Sequence, residues 1–98
     1  MSHLETFDAL KSKQTVKVAI RACMGHGDAE TGTPTLYVVG RRGKGRFGET
    51  LALMPADGRK PHPMSKVVLH KRRDNNGELY VTAAIGDMGA TLVSIELA

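Results

Sequence analysis

Apolar and polar side chains alternate from Thr15 to Met24: Val16, Val18, Ile20, Ala22 and Met24 fall on one side, Lys17, Ala19, Arg21 and Cys23 on the other. A period of two marks a strand with one face buried, here with a basic outer face. Upstream the signals are helical. Ser2-His3-Leu4-Glu5 has the form of a capping box, in which the Ser2 hydroxyl accepts from the Glu5 amide and the Glu5 carboxylate from the Ser2 amide. Leu4, Phe7 and Leu10 then lie on one side of a short helix ending near Ser12. A helix of about ten residues is unstable alone in water, so its apolar side must cover a sheet face or plug a barrel end.

Downstream, Gly25 to Pro34 reads as a polar connection. Thr35 to Val39 is a second strand, with Leu36 and Val38 opposite Tyr37 and Val39. Arg46 to Met54 is a third, with Phe47, Leu51 and Leu53 on one face and Glu49 interrupting it. Pro55-Ala56-Asp57-Gly58 is a turn, and Arg59-Lys60-Pro61-His62-Pro63 is too rich in proline for a sheet interior. Lys66 to Arg72 and Glu78 to Ile85 form a hairpin around Asp74-Asn75-Asn76-Gly77, whose Asn-Gly pair tolerates the left-handed conformations of a tight turn. Val67 and Leu69 point inward with Leu79, Val81, Ala83 and Ile85. After Gly86-Asp87-Met88-Gly89, a last strand from Thr91 to Leu97 sets Val93, Ile95 and Leu97 against Ser94 and Glu96. These elements predict a mainly β fold: a small antiparallel six-stranded barrel, or a strongly twisted sheet, with one short N-terminal helix. Closure would remove the two free edges of an open sheet.

Composition narrows the class. Ninety-eight residues suit a single domain, residues 1–98, with the helix inside 1–13 and the sheet in 14–98; folding at this size buries roughly 65% of the surface the unfolded chain exposes. No apolar run approaches the roughly 18 residues of a membrane span, and the N-terminus lacks the pattern of an export signal. Cys23 is the single cysteine, so no intrachain disulfide forms. The expectation is a soluble, cytoplasmic protein.

Charge is unevenly spread. The net charge of +4 conceals ten cations against two acids in residues 41–73, and four acids with no Lys or Arg in residues 74–98. The middle third is a concentrated source of positive field unless the later carboxylates neutralise it. Its centre is Gly40-Arg41-Arg42-Gly43-Lys44-Gly45-Arg46-Phe47-Gly48, four cations interleaved with four glycines. Such a stretch supplies almost no apolar area and is expected to be a mobile, charged surface loop.

Three chemical motifs fall away on inspection. Gly43-Lys44-Gly45-Arg46-Phe47-Gly48 matches the dinucleotide-binding pattern, but Pro55 leaves no room for the helix that must follow, and no acidic residue stands near position 68. A Walker loop needs Lys-Ser or Lys-Thr after the glycines, which is missing. His26, Asp28 and Glu30 alternate in a glycine-rich stretch that would not hold a metal rigidly. His62, His70 and Cys23 are the groups with catalytic potential, yet no nucleophile, base and orienting acid stand at a recognisable spacing. No catalytic residue, cofactor or metal is expected.

Phosphate backbones are recognised chiefly by Arg and Lys, so the expected function is that of a small basic nucleic-acid-binding domain with little sequence specificity. The candidate residues are Arg41, Arg42, Lys44 and Arg46 in one group and Arg59, Lys60, Lys71, Arg72 and Arg73 in another. Tyr37, Phe47 and Tyr80 are the only base-stacking platforms in the sheet. The alternative is a protein-protein interaction module, whether an adaptor, an inhibitor or a homo-oligomeric subunit, docking its basic face on an acidic partner. DNA or RNA is thus the expected partner, with an acidic protein or a second copy as the other possibilities and no membrane.

Overall fold

Six alternating stretches become six antiparallel strands in the computed structural model, which describes residues 2–22, 34–45, 48–56, 66–86 and 88–98. Helix α1 (His3–Ala9) precedes β1 (Thr15–Ala22), β2 (Thr35–Gly45), β3 (Gly48–Pro55), β4 (Val67–Arg73), β5 (Leu79–Ile85) and β6 (Met88–Leu97). Each strand pairs with the next, and β6 pairs with β1 to close a barrel. The barrel alternative is therefore the one adopted, in a simple up-and-down order. The inward positions Val16, Val18, Ile20, Val39, Leu51, Leu53, Leu69 and Ile85 are at most 2% exposed and form the core with Phe7 and Leu10 from the helix.

The strand register defines two ends. At one, the helical end, lie Thr15, Gly45 with Gly48, and Arg73 with Leu79; at the other lie Ala22, Thr35, Pro55, Val67 and Ile85 with Met88. Pairing of β5 with β6 is confined to Ala83–Ile85 against Met88–Ala90. Toward the helical end these two strands part, and α1 packs against both. It places Phe7 and Leu10 in the core, with Thr6 also buried. The capping box forms as its residues predict: the Glu5 amide donates to Ser2 Oγ at 3.1 Å, and the Ser2 amide to Glu5 Oε1 at 3.4 Å. The helix stops at Ala9, short of Ser12, because the chain turns there to run beside β2. Lys13 N donates to the Val39 carbonyl and Val39 N to the Gln14 carbonyl.

Two expectations are corrected. First, Gly40 to Gly45 is not a loop: it continues β2 and pairs with β3 from Arg42 opposite Leu51 to Gly45 opposite Gly48. Backbone hydrogen bonds to a neighbouring strand order this stretch although it has little apolar area. The third strand is described from Gly48, and its expected first residues, Arg46 and Phe47, lie outside the described residues. Second, Val93 is 41% exposed and Leu92 takes the inward place, 6% exposed. The β1–β6 register shifts between Ala19 and Ile20, so that Ser94 faces Ala19 but Leu92 faces Ile20. This bulge moves the inward phase of β6 by one residue and buries Ala19 beside Ile20.

Candidate basic end of the barrel

A second bulge decides the fate of two adjacent arginines. Val39 faces Leu53 and Arg42 faces Leu51, so Gly40 and Arg41 together oppose Ala52. The extra residue returns Arg42 to the inward face shared by Val39 and Leu51, and leaves Arg41 exposed. Arg42 then reaches the end of α1. Its Nη2 donates to the carbonyl oxygens of Phe7 and Leu10, both at 2.8 Å, and its guanidinium carbon lies 4.9 Å from the centre of the Phe7 ring. Its Nη1 donates to Glu49 Oε2 at 3.2 Å. A cation here adds to the bond the Phe7 carbonyl already accepts from the Leu10 amide, gives the Leu10 carbonyl a donor, and opposes the negative end of the helix dipole.

Lys71 is the second inward cation, one step beyond Leu69 on β4. Its ammonium donates to Asp8 Oδ1 of α1 at 2.8 Å and lies 3.8 Å from Glu49 Oε1. The hydrogen bond to Asp8 raises the Lys71 pKa above its ordinary 10.5, outweighing the opposite effect of desolvation. The partners that engage these central cations are thus Asp8 and Glu49, rather than the carboxylates of the C-terminal strands. Glu49 carries a legible signal, a charge at an inward position of β3, whereas Asp8 pairs across the fold and leaves none in the sequence.

The other candidate cations divide by position. Lys44 and Arg73 are exposed and Arg72 is half-buried at the helical end, while Arg41 is exposed midway along β2, opposite Ala52. Arg73 Nη1 donates to the Gly77 carbonyl in its own hairpin turn, where Asp74 Oδ1 accepts from the Asn76 and Glu78 amides at 2.9 Å. Arg59 and Lys60 lie outside the described residues. Lys44, Lys71, Arg72 and Arg73 line one cavity.

Among the aromatic side chains, Tyr37 is 5% exposed and fills the core, while Tyr80 is 41% exposed and sits directly opposite Arg72 in the β4–β5 ladder. His70 lies between Thr50 and Thr82 on the outer face; burial, and then the neighbouring Arg72, lower its pKa below 6.5. Cys23, His62 and the His26, Asp28 and Glu30 group fall outside the described residues. Among the described residues no three metal-binding side chains converge, and no helix is long and apolar enough to cross a membrane. The chain matches no protein-family model, no curated protein and no solved structure.

Proposed function

We propose that the helical end of the barrel binds the phosphate backbone of nucleic acid. The observation that carries this reading is the grouping of Lys44, Lys71, Arg72 and Arg73 around one cavity at that end, with Glu49 the single carboxylate among the described residues of its wall. Arg41, exposed midway along β2, adds a further cation on the outer face. Arg42 and Lys71 act as organisers: they fix the helix and Glu49, while Arg41, Lys44, Arg72 and Arg73 meet the phosphates. Tyr80 opposite Arg72 offers an exposed ring for a base to stack on, a contact that every base can make and that fits binding with little sequence preference. A lone thiol at Cys23 suits a reducing compartment such as the cytoplasm.

A salt titration tests the proposal. Affinity for generic single-stranded and duplex DNA and for RNA should fall by orders of magnitude between about 50 and 200 mM salt. Replacing Arg41, Lys44 and Arg73 together by Gln should lower the slope of log affinity against log salt by about 0.7 to 0.9 for each phosphate these cations no longer neutralise. Binding unaffected by the triple replacement, or tight binding to an acidic protein with none to nucleic acid at low salt, overturns the proposal.

A further inference from the structure

The inner face of the barrel changes chemistry as it approaches the helical end. Along β3 the inward positions run Leu53, Leu51, Glu49; along β4 they run Val67, Leu69, Lys71, Arg73. Leu51 is 1% exposed and Leu69 is 0% exposed, so the packed core closes directly beneath Glu49 and Lys71. Beyond them Lys44, Gly48, Arg73 and Leu79 border an open cavity of about 300 Å³. It is a shallow cup with a packed floor. Glu49 is engaged from within by Arg42 and Lys71, so the cations of the cup wall outnumber its carboxylate and leave a net positive interior.

We infer that this cup receives a phosphomonoester: a terminal phosphate of a nucleic-acid strand or the phosphate of a free nucleotide. The inference rests on the reading of this end as a phosphate-binding surface and assigns the form of phosphate it takes. A phosphodiester within a strand carries one negative charge and leaves two oxygens free to accept. A monoester carries about −1.5 to −2 charges at neutral pH and three acceptor oxygens. Lys44 from one hairpin and Arg73 from the other both line the cup and supply charge-assisted donors. Leu79, 40% exposed, lines the cup beside them and offers apolar surface to the attached sugar or base.

The test compares one single-stranded oligonucleotide with a phosphate on its 5′ end, on its 3′ end, or on neither, each bound to the full chain. An end-phosphorylated strand should bind roughly tenfold tighter than the hydroxyl-ended one, about 1.4 kcal/mol. The advantage should vanish in the Lys44→Gln, Arg73→Gln double variant and persist in Arg21→Gln, which removes an exposed cation near the opposite end. In parallel, adenosine monophosphate should give saturable NMR shifts at the Gly48, Lys71 and Leu79 amides of the unaltered protein, and adenosine should not. Shifts with the nucleotide but no binding of any oligonucleotide would sustain the cup, with the free nucleotide as its source, and sink the nucleic-acid proposal alone. Equal affinity for all three strands together with no nucleotide shifts, or an advantage that disappears equally in Arg21→Gln, overturns the inference.

Discussion

Arg42 stacks over Phe7 and donates to that residue's carbonyl oxygen at 2.8 Å, so one guanidinium holds both the ring and the backbone of the helix that closes the barrel. The second bond from the same nitrogen, to Leu10, ties down the residue where the helix ends. Arg42→Ala should cost about 2–3 kcal/mol in urea denaturation, since charged hydrogen bonds to backbone exceed neutral ones but this side chain keeps partial contact with water. Arg42→Lys should recover less than half of that, because an ammonium lacks the planar fork that spans two carbonyls and Glu49. Hydrogen exchange should show the weakening first at the α1 amides; full stability in Arg42→Ala would show that the helix docks through apolar burial alone.

Gly48 has φ of +130°, and a Cβ built there would lie 2.5 Å from the Lys71 carbonyl oxygen. Conformation and crowding both exclude a side chain at the point where β3 meets β4. Gly48→Ala should destabilise the fold by about 2–4 kcal/mol. Gly77 has φ of +81° with open space around it, so Gly77→Ala should cost only about 1 kcal/mol. Similar costs for the two would mean that crowding against Lys71 is relieved by backbone movement.

Leu92→Ala should cost about 2–4 kcal/mol, whereas Val93→Ala should change stability by no more than about 0.5 kcal/mol. The contrast reads the β1–β6 bulge directly, since alternation continued without a bulge would reverse it. Equilibrium unfolding of the two variants is sufficient.

The folded pKa of Lys71 is raised by Asp8, so its contribution to stability is fully present below the unfolded value near 10.5 and is lost as pH rises through the folded value. The urea midpoint of the unaltered protein should therefore fall above about pH 10.5, with a smaller fall in Asp8→Asn. Equal alkaline sensitivity in the two proteins would assign the effect to other groups.

Much of the architecture is local and legible without coordinates. The capping box, the buried rows Val16-Val18-Ile20, Val67-Leu69 and Val81-Ala83-Ile85, and the Asn-Gly hairpin each depend on neighbours a few residues apart, so the β class, the six strands and the short helix follow from spacing alone. The Gly40-to-Gly45 segment reads as a loop because composition records how little apolar area it buries, not that a partner strand supplies its backbone hydrogen bonds. Adjacent Arg41 and Arg42 look alike in the chain. Only a bulge opposite Ala52 sends one to solvent and the other under the helix, and a bulge is set by pairing across strands. Asp8 and Lys71 likewise meet only after the helix has docked. The amino-acid order determined which stretches alternate and where positive charge is dense; the closed barrel decided which cations are held by carboxylates and which line a cup, because that depends on register between distant strands.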